Sequence, residues 1–253
     1  MRYQATVAYD GTNYNGWQKQ CNGIGIQAII EEVLERITCV PTEIVGSGRT
    51  DAGVHAYGQV FHFDCEKDIA PYQMKLALNT GLPADIRIQE VRIVADDFHA
   101  RFHASGKRYD YLITYVQNDP FIYRYRVYER YVLDVIAMRK SAEVLVGTHD
   151  FTSFTSARID ERKPRVKTIT SIEIIEETDG LRMVFEGEGF LRYQVRMMAQ
   201  TLIEVGKGKL CIEDVKRILD GKAKGLCKYK APAKGLYLMR VDYANRRNDD
   251  EKM

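Results

Sequence analysis

The chain has 253 residues, of which 45% are hydrophobic and 28% are charged. This balance is typical of a globular protein and excludes a low-complexity chain. The length is sufficient for one large domain or two closely joined ones. No apolar run approaches the ~20 residues that span a bilayer, and the first residues lead into a strand-like alternation instead of a signal peptide. We therefore expect a cytoplasmic protein without a membrane segment.

Cysteine content and charge narrow the choice of partners. The five cysteines are odd in number and include no C-x-x-C pair, so neither a disulfide framework nor a zinc site is predicted. The formal net charge is only +2, but the segment from Val205 to Gly235 holds nine basic and three acidic residues, a local charge of +6. Such a cluster can bind phosphate backbones, although taken alone it more often forms a solvated surface. A second basic group consists of Arg158, Arg162, Lys163, Arg165 and Lys167.

The first half of the chain has the periodicities of a β-α-β-β-α-β unit. Tyr3, Ala5, Val7 and Tyr9 alternate with more polar neighbours and predict a strand. Apolar residues at helical spacing then predict an amphipathic helix between residues 26 and 37. The elements predicted after it are strands near 42–47 and 56–64, a short helix from Pro71 and a strand over 86–94.

The second half repeats this order with looser connections. Its first helix has Asp134 as a candidate N-cap and Gly147 as a candidate stop. The repeat predicts an α+β fold of two ferredoxin-like halves, 1–104 and 105–244, followed by a polar tail over 245–253, with a cleft between the halves. The predicted elements are strands at 107–116, 166–176, 181–187 and 236–243 and helices at 135–146, 191–205 and 212–219.

The most concentrated polar motif lies between two predicted strands, from Gly46 to Ala56. Three glycines allow tight backbone geometry, while Arg49, Asp51 and His55 supply charge and hydrogen-bonding groups. The motif is consistent with a reactive loop and equally with a hairpin connection whose aspartate bonds backbone amides. Generic chemistry does not decide between these interpretations.

The spelling of this motif resembles a known signature. Residues Gly48 to Ala56, Gly-Arg-Thr-Asp-Ala-Gly-Val-His-Ala, are similar to the signature of the TruA family of tRNA pseudouridine synthases. Further similar segments occur in the same order along nearly the whole chain. They are Tyr9 to Gln18, Phe98 to Phe102, Lys107 to Tyr111, Gly147 to Phe154, Phe190 to Arg196 and Ala231 to Leu238.

The resemblance implies a fold, a substrate and an oligomeric state. The implied fold is the pseudouridine synthase fold, with a central and mainly antiparallel sheet built from two similar halves with flanking helices. The implied substrate is the anticodon stem-loop of tRNA, in which uridines 38, 39 and 40 are isomerised to pseudouridine without a metal, a small-molecule cofactor or an energy source. A homodimer is also implied.

Two charged residues have implied catalytic roles. Asp51 matches the catalytic aspartate of the family, and Arg196 matches its basic partner. An ionised carboxylate can attack ribose C1′ or uracil C6, or stabilise a glycal route, and the sequence does not choose among these. A cationic partner would keep Asp51 ionised and oriented in a partly dry pocket.

Tyr109 is implied to be both catalytic and substrate-binding, and Arg49 and Leu238 are implied to bind the substrate. Tyr109 resembles the active-site tyrosine, whose ring can stack on the target base and whose hydroxyl can assist proton transfer. Arg49 matches a residue that occupies the space of the extruded base or holds its phosphate. Leu238 is a candidate for the apolar wall under the uracil. We interpret His55 as a support of the loop and not as an acid–base catalyst.

The sequence departs from the family pattern around Arg196 and before the Ala-Pro-Ala segment. Arg192, Tyr193 and Met197 stand where many relatives have histidine or asparagine, and Lys230 stands where threonine is frequent. None of these changes removes a proposed catalytic group. They leave the choice of uridine open.

Two other classes of function compete with this interpretation. A noncatalytic RNA-binding protein of RRM-like halves would use the same aromatic and basic surfaces, but the usual RNP spelling is missing. A glycosidase could use Asp51 at an anomeric carbon, but it would require a partner carboxyl group, for which the sequence offers no clear candidate.

Overall fold

The computed structural model describes residues 1–21, 23–156 and 164–244. Within these ranges the chain forms ten β-strands and five α-helices. The predicted tail over 245–253 and three members of the second basic group, Arg158, Arg162 and Lys163, lie outside the described residues. The strands are β1 (Arg2–Tyr9), β2 (Val45–Gly46), β3 (His55–Asp64), β4 (Ile86–Val94), β5 (Ala104–Thr114), β6 (Val127–Tyr128), β7 (Gly147–Asp150), β8 (Val166–Glu177), β9 (Gly180–Gly187) and β10 (Leu236–Tyr243). The helices are α1 (Ile26–Thr38), α2 (Pro71–Gly81), α3 (Val135–Glu143), α4 (Gln194–Gly206) and α5 (Ile212–Asp220).

These strands form one sheet. Its main path is β4-β1-β3-β10-β5-β9-β8-β7, with β2 paired to β3 and β6 paired to β5. The four strands of the first half lie in the order β4-β1-β3-β2. The corresponding strands of the second half lie in the order β10-β5-β9-β8. Numbered within each half, both orders are 4-1-3-2, which is the strand order of a ferredoxin-like unit. Most pairs are antiparallel. The predicted α+β fold of two ferredoxin-like halves is therefore confirmed, while the boundary between residues 104 and 105 stays a prediction.

The two halves meet where β10 runs parallel to β3. Tyr237 pairs with His55 and Leu238 with Ala56, at the first residues of β3. The other edge of β10 pairs with β5, where Leu238 lies opposite Tyr109. Since the polar motif ends in the first two residues of β3, this junction places it at the line where the halves join.

The helices form where the sequence supplies apolar faces and end groups. In α1 the residues Ile26, Ile30, Val33 and Leu34 are buried at helical spacing. Helix α2 has Pro71 in its first turn, where the missing amide hydrogen costs nothing. The carboxylate of Asp134 accepts a hydrogen bond from the Ala137 amide and caps α3, as predicted. Helix α2 packs on β4, and α3 packs on β8 and α4.

Some predicted boundaries were wrong. The strand expected at 42–47 pairs only at Val45 and Gly46, and the helix expected from residue 191 begins at Gln194 because Tyr193 is left-handed, with φ 69°. Helix α3 ends at Glu143, so Gly147 does not stop it; at φ 110° Gly147 instead opens β7. Sequence periodicity did not predict β6 and β7, which have two and four residues and are too short for a periodic signal.

All five cysteines are free thiols. Among the described residues, no helix combines the length and the apolar character needed to cross a bilayer. The described part of the chain also contains no group of three or more histidine, cysteine or acidic side chains that could hold a metal ion.

Candidate active site

The loop between β2 and β3 carries Asp51 and is held at its first residues by polar side chains of two strands. The Ser47 hydroxyl donates to the Gln59 side-chain oxygen at 2.7 Å, and the Gln59 side-chain nitrogen Nε2 donates to the Gly48 carbonyl at 3.0 Å. Lys107, on β5 of the other half, donates from Nζ to the Ser47 carbonyl at 2.8 Å. Burial, together with the nearby charge of Arg101, lowers the pKa of Lys107 to about 8.

The far side of the loop is held by the last residue of β1 and by the segment that follows this strand. The Tyr9 hydroxyl and the Thr50 hydroxyl are 2.8 Å apart, and the Trp17 amide donates to the Thr50 carbonyl at 3.2 Å. Gly16 adopts φ +86°, and a Cβ there would lie 2.3 Å from the Thr50 carbonyl oxygen. Position 16 thus requires glycine, because only glycine allows this close approach and left-handed backbone. The loop is a rigid platform for Asp51.

Asp51 pairs with Arg196, which stands in the first turn of α4. The Arg196 Nη1 lies 3.2 Å from the Asp51 Oδ2, and these side chains are only 11% and 21% exposed. The Arg196 Nε donates to the Ala231 carbonyl at 2.8 Å, and the Ala231 amide donates back to the Arg196 carbonyl at 3.0 Å. The guanidinium is therefore fixed between the loop and the segment before β10.

Burial and charge act in opposite directions on the Asp51 carboxyl group. Burial raises its pKa above the ordinary value and outweighs Arg196, Arg192 and Lys230, which lower it. The charged groups that act most strongly on Asp51 are all cations. This arrangement differs from the glycosidase alternative, in which a second carboxyl group stands beside the first.

Tyr109 and Leu238 form an apolar wall on the same face of the sheet. They lie directly opposite each other in the antiparallel β5–β10 pair, and their side chains are 8% and 1% exposed. The Tyr109 ring packs edge-on against Phe190, with ring centroids 5.3 Å apart. Burial and the charge of Asp51 raise the pKa of the Tyr109 hydroxyl, so this group carries its proton at neutral pH.

His55 lies under the loop. The Gly11 amide donates to its Nδ1 at 3.1 Å, and its ring stacks on Tyr237 with centroids 4.7 Å apart. Burial lowers the pKa of His55, so the ring is neutral and its contact with Asp10 is not an ion pair. These contacts agree with the interpretation of His55 as a support.

The structure brings four of the five predicted site residues together. Asp51, Arg196, Tyr109 and Leu238 converge on the junction of the halves, whereas Arg49 is exposed. Sequence patterns did not identify Gln59 and Lys107 as supports of the loop. Lys107 lay within a quoted motif, but only tertiary packing identifies the carbonyl it binds.

We expect Lys107→Met to slow, by about 10- to 100-fold, the single-turnover reaction that the resemblance implies, because loss of the Ser47 contact lets the loop shift. A Cβ on Gly48 would lie 2.6 Å from the Lys107 Nζ, so Gly48→Ala should displace the same ammonium group. The double variant should then be no slower than either single variant. The control is Lys75→Met, at an exposed lysine of α2. Fully additive losses would contradict a shared mechanism.

Comparisons with known proteins show the family to which the chain belongs. A family model described as tRNA pseudouridine synthase matches residues 5–103 and 141–244. A tRNA pseudouridine synthase A of Exiguobacterium sibiricum is 46% identical over 96% of both chains. Proteins of the same name from Streptococcus equi subsp. equi and Limosilactobacillus reuteri are each 42% identical, over 96% and 99% of this chain and 98% and 99% of their own.

The fold and these relatives define an isomerase of the pseudouridine synthase class. Within that class the chain belongs to the tRNA pseudouridine synthase family. Its reaction is the isomerisation of uridine in tRNA.

Proposed function

We propose that this enzyme isomerises uridines 38, 39 and 40 in the anticodon stem-loop of tRNA and that Asp51 is its catalytic residue. The observation that supports this proposal best is the 3.2 Å pair between Asp51 and Arg196, beside the wall formed by Tyr109 and Leu238. The pair supplies a carboxylate that is oriented, partly dry and held next to a surface on which a base can lie.

The reaction requires no co-reactant, since product and substrate are isomers. The bond from uracil N1 to ribose C1′ breaks, the base rotates, and a bond from C5 to C1′ forms. The C5 proton is lost and N1 gains a proton. Asp51 can attack C1′ or C6 or stabilise a glycal route, and all three routes require the ionised carboxylate that Arg196 favours.

In this proposal the neighbouring residues bind and expose the base. A uridine in or beside a stem must leave its stack, at a cost of a few kcal/mol. Arg49 is exposed at the tip of the Asp51 loop and would occupy the vacated space or hold the phosphate. Tyr109 would stack on the base, with its protonated hydroxyl available for hydrogen bonding, and Leu238 would form the wall beneath.

The basic segment from Val205 to Gly235 contributes less free charge than its composition indicates. Lys207 pairs with Glu129 and Glu204, and Lys209 pairs with Glu204. Arg217 pairs with Asp214. Lys222, Lys228 and Lys230 are exposed, and we propose that these three lysines form a surface for the RNA backbone.

Mapping pseudouridine at single-nucleotide resolution tests the proposal. Incubation of the protein with uridine-labelled tRNA should produce pseudouridine at one or more of positions 38, 39 and 40. Binding without modification would favour the RNA-binding alternative, and release of free uracil would favour glycosidase chemistry. Modification elsewhere in the tRNA would contradict the proposed position.

We further propose that the enzyme is a cytoplasmic homodimer in which two subunits together hold one tRNA. Two separated basic surfaces would then recognise the shape of the RNA despite a net charge of only +2. We expect light scattering to give the mass of a dimer, and turnover of an isolated anticodon stem-loop to be at least about tenfold poorer than that of full-length tRNA. A monomer that modifies both RNAs equally would contradict the dimer and leave the Asp51 chemistry unaffected.

A further inference from the structure

Three cationic side chains surround the ring of Tyr193, next to Asp51. The Lys230 Nζ lies 4.5 Å from the ring centroid, and the Arg192 and Arg196 guanidinium carbons lie 4.8 Å and 5.5 Å from it. The Arg192 Nη2 also donates to the Tyr193 hydroxyl at 3.0 Å. An aromatic face attracts cations, so the ring fixes the direction of side chains that would otherwise be mobile.

The backbone under this ring is itself held in place. Tyr193 has φ 69° and ψ −2°, a left-handed conformation that is uncommon for a residue other than glycine. The Arg192 carbonyl accepts hydrogen bonds from the Thr155 hydroxyl and the Ser156 amide, both at 3.1 Å. The Gln194 side-chain oxygen accepts from the Leu191 amide at 2.8 Å. The surrounding contacts thus hold a strained residue that turns the ring towards the cations.

The three side chains around the Tyr193 ring carry more positive charge than the neighbouring carboxylate neutralises. Arg196 is committed to Asp51 and to the Ala231 carbonyl. Arg192 and Lys230 are exposed, and within the described ranges neither forms an ion pair with a carboxylate. Three cations therefore face one carboxylate, which leaves about two positive charges directed at solvent beside the proposed catalytic group.

We propose that Arg192 and Lys230, held on the Tyr193 ring, bind the phosphodiester next to the uridine that reaches Asp51. A phosphodiester is a permanent anion with two free oxygens, which suits a guanidinium fork and a nearby ammonium group. It is also the anion that RNA must present wherever one of its bases enters the pocket. This inference rests on the proposed function, because it takes the RNA to be the substrate of Asp51.

Salt-dependent tRNA binding tests the site without interference from turnover. In an Asp51→Asn background, the variants are Arg192→Gln, Lys230→Gln and their combination, with Lys75→Gln as a matched control on α2. We expect the combined variant to bind full-length tRNA about tenfold more weakly. The slope of log affinity against log salt should become shallower by just under one, the value for one phosphate contact. The control should change neither quantity.

The variant Tyr193→Phe distinguishes the contribution of the aromatic ring to tRNA binding from that of its hydroxyl group. This variant keeps the aromatic face and loses only the Arg192 hydrogen bond, so its tRNA affinity should stay within about threefold of the parent. Tyr193→Leu removes the face, and we expect it to weaken binding and flatten the salt slope as the combined variant does. Comparison of unfolding curves shows whether the leucine variant remains folded; if it does not, the Arg192 and Lys230 variants decide.

One outcome overturns the proposal: an unchanged salt slope combined with slower single turnover in variants that retain Asp51. The cations would then act only on the carboxylate. The proposed function is tested separately by the parent enzyme on the same tRNA. If that enzyme forms no pseudouridine while the salt slope still responds to Arg192 and Lys230, the proposed function fails; the two residues then contact an RNA phosphate, but their assignment to the target uridine is overturned.

Discussion

Asp51→Asn should lower the rate of pseudouridine formation by about 10⁴-fold or more, while the protein remains folded and binds tRNA. Asparagine has the size of aspartate but neither its charge nor its nucleophilicity, so each of the three possible routes loses its reacting group. Losses of this size are typical when a single essential catalytic side chain is removed. The measurement is single-turnover formation of pseudouridine on full-length tRNA.

We also predict how Asp51→Asn changes the free energy of unfolding. Burial raises the pKa of the Asp51 carboxyl group in the folded state, so its ionised form is less favourable in the fold than in the unfolded chain at neutral pH. A neutral asparagine avoids this cost. The free energy of unfolding of Asp51→Asn should therefore be equal to that of the parent or slightly higher, as measured in urea. Asp68→Asn, at an exposed aspartate, is the control and should change neither activity nor stability.

Activity of Asp51→Asn near that of the parent would exclude Asp51 as the catalytic residue. A variant that loses activity because it unfolds would leave the assignment without support. The urea measurement distinguishes that case from a catalytic loss in a folded protein.

Arg196→Gln should lower the rate at pH 7 by about 100-fold and move the acid limb of the pH profile to higher pH. Arg196 opposes the burial of Asp51 more than any other group does. Its removal should raise the pKa of a carboxyl group whose pKa is already raised, so a smaller fraction is ionised at a given pH. Since the ionised form is the active one, the rate should recover partly as the pH increases. Single-turnover rates between about pH 5 and 8.5 measure both effects.

Two further variants show which property of Arg196 causes the loss of rate in Arg196→Gln. Arg196→Lys keeps the charge but loses the fork that contacts Asp51 and Ala231, so it should show a smaller shift of the acid limb and an intermediate rate. Arg217→Gln, at an exposed arginine of α5, should behave like the parent. An equal loss for Arg196→Gln at every pH would mean that Arg196 acts on the RNA and not through the ionisation of Asp51.

Local patterns predicted most of the elements because a helix or strand depends largely on neighbouring residues. The strand alternation of β1, the apolar stripe of α1 and the cap at Asp134 were read correctly from short segments. The errors occurred where contacts with distant segments of the chain determine the backbone conformation. Helix α4 begins at Gln194 because Thr155 and Ser156 hold the backbone at Arg192, and no local pattern reports those contacts.

The sequence by itself determined the order of elements, the repetition of the ferredoxin-like unit and, through the Gly48 to Ala56 motif, the residue to test first. Only the tertiary structure decided which groups act on that residue. Arg196 follows Asp51 by 145 positions, and Lys107 follows Ser47 by 60. It also decided that Arg217 is neutralised by Asp214 while Arg192 and Lys230 are held on Tyr193. The physical reason is that periodicity records local geometry, whereas burial and ion pairing depend on segments that only the folded sheet brings into contact.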